Sequence, residues 1–181
     1  KEDIVRRSPI LDGNIDADKI IPALHLSQTQ YLREIIGTDL YNKYVTAITA
    51  LVDSGTAIPA AYKSLLDDYI KPILVHLCTA EFLKSGAITV SNKGIYMHNS
   101  ENSTNVTSEE IKELVQIERD RAESYTQRFL DYMAFNASGT YPEWFSNSNA
   151  DQSPNYESYT IDWVLWVLAK YIVRVGGVII T

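Results

Sequence analysis

Apolar side chains recur every three or four positions along most of the chain before residue 137, which is the spacing of one face of an α-helix. The first such stretch covers residues 18–36 and is predicted to stop at Gly37, since glycine readily adopts the backbone conformation that ends a helix. Thr38 is predicted to cap a second helix that ends at Asp53-Ser54-Gly55. The apolar residues of this second helix fall on one face: Leu40, Tyr41, Tyr44, Val45, Ile48 and Leu51.

A third helix is predicted from Pro59 to Gly86, with its hydrogen-bond ladder interrupted at Pro72. The pattern then changes, because two short β-branched and aromatic runs flank the turn residues Ser91-Asn92-Lys93-Gly94. Residues 88–97 are therefore predicted to form a β-hairpin. An isolated hairpin is marginally stable, so this one is expected to lie against the helices or a partner chain.

The longest helical pattern covers residues 107–136. Thr107 and Glu110 have the spacing of a capping box, in which each side chain bonds the backbone N–H of the other residue. A helix of this length spans roughly 45 Å, so one end is expected to project toward a neighbour. Its seam has a nearly heptad spacing and consists of Ile111, Val115, Glu118, Ala122, Tyr125, Phe129 and Tyr132.

The last part of the chain has a different character. Residues 146–156 are polar and are predicted to be a linker. Residues 161–181 are rich in β-branched and aromatic residues and are interpreted as strands broken at Gly176-Gly177. Such strands suit either an ordinary core pair or strand addition to a partner chain. A membrane span is not predicted, because charged residues interrupt the apolar run: Asp162, Lys170 and Arg174.

Together these elements predict a mainly α fold. It is expected to be a helical bundle of about four helices including the long one at about 107–136, with a small β-hairpin at about 88–97 and a C-terminal β-rich extension. Residues 1–145 are predicted to form the helical domain and residues 146–181 the linker and extension. A chain of 181 residues is long enough to bury such a core.

Charge and composition narrow the classes of function. The net charge of −7 argues against a protein that grips nucleic acid by neutralising phosphates. The single cysteine, Cys78, excludes an internal disulfide. The histidines His25, His76 and His98 lie far apart and belong to no metal-binding motif. No nucleophile elbow, phosphate loop or dinucleotide motif is present, so we expect no cofactor, no metal and no enzyme activity.

Glu118 is the one carboxylate that stands out, because it interrupts an apolar seam where an unpaired charge would be costly. Arg121, Arg128 or a neighbouring subunit could pair with it. A buried structural ion pair, or exposure where the helix leaves the core, is favoured over catalysis. The hypothetical interface residues lie on the long helix and in the C-terminal extension: Glu118, Arg121, Tyr125, Arg128, Trp163, Trp166, Tyr171 and Ile179.

Several elements occur in an order that points to one family. They are Asn14-Ile15-Asp16, Ile20, Gln28, Leu32, Ile35-Ile36-Gly37-Thr38-Asp39-Leu40-Tyr41, Tyr69-Ile70-Lys71-Pro72, Glu81-Phe82, Asn92-Lys93-Gly94, the long helix and Tyr141-Pro142-Glu143. In these elements the chain resembles head-to-tail connector proteins (neck, ring or portal-adaptor proteins) of tailed phages, especially crAss-like phages. The resemblance covers residues 4–145.

The resemblance implies a virion structural protein at the portal–tail junction that is assembled in the host cytoplasm. It implies a homo-oligomeric ring, often of about twelve subunits, with the portal protein and tail or neck proteins as partners. DNA would pass through the ring without sequence-specific binding, and no membrane would be involved. An acidic balance suits a channel that DNA traverses without sticking.

Two other classes of function stay open at this point. One is a helical host-side adaptor or regulatory protein that binds a partner through a helix face. The other is a helical enzyme or small-ligand domain that uses Glu118 with nearby tyrosine and arginine residues. A deep pocket holding a carboxylate with a strongly shifted pKa would favour the second alternative.

Overall fold

The structure is a computed structural model that describes residues 2–7, 17–85, 88–91, 94–97, 107–146 and 151–154. The described part is mainly helical, which confirms the mainly α character of the predicted fold. Its helices are α1 (Glu2–Arg7), α2 (residues 17–36), α3 (Thr38–Ser54), α4 (residues 60–85) and α5 (Ser108–Thr140), followed by a 3₁₀ turn at Pro142–Trp144. Strands β1 (Ile88–Ser91) and β2 (Gly94–Met97) pair antiparallel, with Ile88 opposite Met97. The predicted C-terminal strands in 161–181 lie outside the described residues.

Helix α2 ends where the sequence predicts, at Gly37. It runs through Ala17–Leu26, a π-helical turn at Ser27–Leu32 and a last α-helical turn at Arg33–Ile36. Gly37 has a φ of 78°, a conformation that glycine adopts without a steric cost. The same glycine precedes α3 as its N-cap residue, so the prediction that Thr38 caps α3 is wrong. The Thr38 hydroxyl instead donates to Asp151 Oδ2 at 3.0 Å.

Helix α4 passes Pro72 without a break. It consists of Ala60–Leu65, a π-helical turn at Leu66–Ile70 and an α-helix at Lys71–Ser85. Proline lacks an N–H and its ring crowds the carbonyl four residues earlier, and a wider turn before it relieves that crowding. The predicted interruption therefore takes the form of a π-helical turn within one helix.

Helix α5 begins with the predicted capping box. Thr107 N donates to Glu110 Oε2 at 2.8 Å, and Glu110 N donates to Thr107 Oγ1 at 3.2 Å. The helix continues to Thr140, beyond the predicted end at residue 136, and includes Gly139. Its 33 residues make it about 50 Å long. The side chains of residues 107–117 are exposed or half-buried, and Glu118 is the first buried one.

The main core lies where α2, α3, α4, α5 and the 3₁₀ turn meet. Its buried residues are Leu32, Ile36, Leu40, Tyr44, Leu65, Ile70, Ile73, Phe129, Leu130, Met133, Ala137, Tyr141 and Trp144. A smaller cluster joins α1, α2 and α4 and contains Cys78, which is free and buried. The thiol therefore behaves as a packed apolar side chain.

Only the first half of α3 is buried. Leu40 and Tyr44 belong to the core, whereas Val45, Ile48 and Leu51 are between 41% and 48% exposed. The described elements pack closely against the first turns of α3 and leave the rest of its apolar face only partly covered.

Candidate functional site

The most unusual group of side chains lies between α4 and α5 and surrounds Glu118. This carboxylate is fully buried. His76 Nδ1 lies 2.7 Å from Glu118 Oε2, and Arg121 Nη1 donates to Glu118 Oε1 at 2.5 Å. Arg121 is therefore the partner of Glu118, which is one of the alternatives that the sequence left open. The contact with His76 was missed, because 42 residues separate the two in the chain and no local spacing links them.

Two further contacts fix the geometry of this cluster. The His76 ring stacks on Tyr125, with centroids 5.4 Å apart and planes 12° apart. The Arg121 side chain is 41% exposed, so the cluster is open to water on the arginine side. Because both carboxylate oxygens of Glu118 have partners and no exposed surface, the arrangement holds α4 and α5 in register.

Arg128, another predicted interface residue, is not part of this cluster. Arg128 lies over the ring of Tyr69, 4.9 Å from its centroid, and does not contact Glu118. Tyr69 in turn lies 4.5 Å from Tyr132 between ring centroids. The remaining predicted residues lie outside the described part of the chain: Trp163, Trp166, Tyr171 and Ile179.

A second buried carboxylate, Glu81, connects three helices and was also missed. Tyr31 donates to Glu81 Oε1 at 3.1 Å, Lys84 forms an ion pair with it, and Arg119 Nη2 lies 3.6 Å away. Burial acts to raise the pKa of Glu81, but its bonds with Lys84 and Tyr31 hold that pKa below its ordinary value. The ion pair of Arg119 with Glu81 joins α5 to α4.

A cleft of about 320 Å³ lies between α2 and α5 beside this second group. Tyr31, Leu77 and Arg119 are among its lining residues. Neither Glu118 nor Glu81 lines it. The two buried carboxylates are therefore not presented to a small molecule in this cleft.

A third polar group joins α3, α4 and the 3₁₀ turn. Tyr62 donates to Glu143 Oε2 at 2.6 Å, and Lys43 Nζ lies 3.1 Å from Glu143 Oε1. Burial acts to raise the pKa of Glu143, but the bonds from Tyr62 and Lys43 lower it below the ordinary 4.5. Burial and the bond to Glu143 raise the pKa of Tyr62 to about 12.

These shifts predict how the free energy of unfolding depends on pH. A carboxyl with a lowered folded-state pKa stabilises the fold above its unfolded pKa of 4.5, and this contribution disappears as the pH falls through the folded value. We expect the loss of stability between pH 6 and pH 3 to be smaller in Glu143→Gln than in the parent chain. Urea unfolding at both pH values measures the two losses.

Tyr62→Phe is the matched variant for this prediction, because it removes the hydrogen bond and keeps the carboxylate. It should also reduce the loss at acid pH, though by less, since Lys43 still contacts Glu143. An acid loss in Glu143→Gln equal to that of the parent would contradict the argument.

Among the described residues, no group of histidine, cysteine, aspartate and glutamate side chains has the geometry of a metal site. No helix in that part of the chain is long and apolar enough to span a membrane. The described part of the chain is therefore a helical bundle built around one long helix. Its buried charged side chains join neighbouring helices.

Within this class the chain belongs to a family of unknown function, DUF6712, whose model matches residues 32–154. The match begins in the last part of α2 and ends at Pro154, so it contains α3, α4 and α5. No curated protein and no solved structure matches the chain.

Proposed function

We propose that this chain is a virion structural protein, a head-to-tail connector whose copies form a ring between the portal and the tail of a phage. The ring surrounds the passage for DNA. The resemblance to phage connector proteins over residues 4–145 supports this proposal. The main observation behind the proposal is that α5 extends beyond the core.

Both ends of α5 offer surface to another molecule. Residues 108–117, about 15 Å of helix, have no buried side chain. Near the other end, Phe135 is 87% exposed, which is unusual for a large apolar side chain. In a ring, one surface of each subunit meets a different surface of the next, and a helix with exposed surface near both ends is suited to such packing.

The charge of the projecting segment fits a position close to DNA. Glu109, Glu110 and Glu113 lie there with one opposing cation, Lys112. An acidic surface repels the phosphate backbone, so DNA passes without being held. The proposal includes two further features. The hairpin makes an additional contact with a neighbouring subunit, and residues 161–181 form a β-rich extension.

The contacts of Glu118 disfavour an enzyme built on that residue. A general acid or base must come within hydrogen-bond reach of its substrate. Glu118 has no exposed surface, and His76 and Arg121 occupy its two oxygens. A structural role accounts for these contacts without an additional ligand.

Phe135→Glu tests the ring directly. We expect the parent chain to have the mass of a closed oligomer, alone or on addition of portal protein, and Phe135→Glu to shift it toward the monomer. A charge buried without a partner in a subunit interface costs several kcal/mol, on the order of a thousandfold in affinity. Light scattering coupled to size exclusion, with and without portal, measures the mass.

Ser124→Glu is the control, because it adds the same charge at an exposed position of α5. It should leave the oligomer intact. A parent chain that stays monomeric with and without portal protein would overturn the proposal. Equal oligomer masses for the two variants would show that Phe135 does not lie in the interface.

A further inference from the structure

An apolar groove of about 260 Å³ lies between α3 and the elements facing it, α2 and α4. Its lining contains no charged side chain and includes Leu32, Ile36, Tyr41, Val45, Ile48 and Leu74. The exposed half of α3 forms one wall and continues past the groove to Val52, which is 76% exposed. Contiguous apolar surface of this kind marks a place where another chain segment packs.

The described chain ends beside this groove. We use the word strap for residues 151–154, which cross the junction of α2 and α3. Thr38 N donates to Gln152 O at 2.9 Å, and Gln152 N donates to Thr38 Oγ1 at 3.2 Å. Pro154 is buried against Gly37, where a Cβ would lie 2.6 Å from its ring.

The strap lies next to residues that line the groove. Ile36 and Tyr41, on either side of Gly37, both line the groove. Arg33, which forms an ion pair with Asp151, also lies over the ring of Tyr41, 4.8 Å from its centroid. The described part of the chain therefore ends at a point close to the edge of the groove.

The sequence that follows has the matching chemistry. Residues 155–160 are polar and span up to about 20 Å when extended. The apolar stripe of α3 from Tyr41 to Val52 is about 16 Å long. Residues 161–175 contain Trp163, Trp166 and many branched aliphatic side chains, so an apolar segment can reach an apolar groove of the same molecule.

We infer that residues 161–175 pack into the groove of their own chain and cover the second half of α3. Attachment through the strap makes this contact intramolecular, and a short linker gives an effective concentration on the order of millimolar or above. A second copy would have to compete with that concentration. The inference does not depend on the proposed ring.

Photo-crosslinking of the full chain tests this inference. A benzophenone amino acid at Val45, irradiated in dilute solution, should give an adduct of monomer mass whose peptide map joins α3 to residues 161–175. The same group at Thr46, which lines a polar cleft on another side of α3, should not give that adduct. An adduct of dimer mass would assign the groove to a second copy, and an adduct elsewhere or none would also overturn the inference.

Dye binding provides a second measurement on full-length variants. Trp163→Glu/Trp166→Glu should expose the groove and raise the fluorescence of bound anilinonaphthalene sulfonate severalfold. Adding Ile48→Glu to that variant should abolish the rise, since it places a charge in the groove. Ile179→Glu, beyond the Gly176-Gly177 pair, should leave the fluorescence at the parent level. An unchanged signal in the double variant would overturn the inference.

Discussion

Replacing Phe129 by alanine is expected to lower the free energy of unfolding by about 3–5 kcal/mol. The Phe129 ring is fully buried in the main core and packs edge-on against Trp144, with centroids 5.4 Å apart. Truncation removes the apolar contact area and leaves a cavity between α5 and the 3₁₀ turn. The loss is measured by urea unfolding followed by circular dichroism.

Phe135→Ala is the matched control, because it makes the same chemical change on the same helix at an 87% exposed position. It should change the free energy of unfolding of the monomer by about 0.5 kcal/mol or less. Similar losses for the two variants would mean that the core does not lie on the side of α5 assigned to it.

The second large effect concerns the buried Glu118. Glu118→Ala is expected to lower the free energy of unfolding by about 3 kcal/mol, because it leaves His76 without its partner in a nearly closed site. The effect should lie at the low end for a broken buried pair, since Arg121 is 41% exposed and can turn toward water. Chemical unfolding at neutral pH measures it.

A double variant distinguishes two effects: the loss of the contact between His76 and Glu118, and a requirement for the buried charge itself. His76→Leu/Glu118→Met removes both polar partners and keeps the volume roughly constant, so it should recover most of the stability lost in Glu118→Ala. Glu123→Ala, an exposed carboxylate on the same helix, should have an effect near zero. If the double variant is no more stable than Glu118→Ala, the pair stabilises the fold by more than the free energy lost in burying its two polar groups.

The helix boundaries that local chemistry determines were predictable. Gly37 and Gly55 end helices by adopting positive φ values of 78° and 69°, and Thr107 with Glu110 forms the capping box that their spacing indicates. Thr38 shows the limit of such arguments. Its hydroxyl is used by Asp151 rather than by the helix, and this contact spans 113 residues that no local pattern connects.

The candidate site was only partly predictable, for the same reason. The position of Glu118 in the apolar seam made a buried ion pair one of two expectations, and Arg121 was one of three possible partners. The contacts of His76 and Glu81 arise from the packing of α4 against α5 and α2, which periodicity alone does not align. The exposed half of α3 was unpredictable, because an apolar face carries no record of which element covers it.

The strap has a mechanical consequence. It brings Pro154 beside Gly37, so the last residue of the family match lies close to the α2–α3 junction near the first, Leu32. Tension that enters the chain near Leu32 and leaves at Pro154 is borne by the contacts of Thr38 and Arg33 with the strap. Helices α3, α4 and α5 lie between the residues that the strap contacts join, so they are shielded from this tension until the strap detaches.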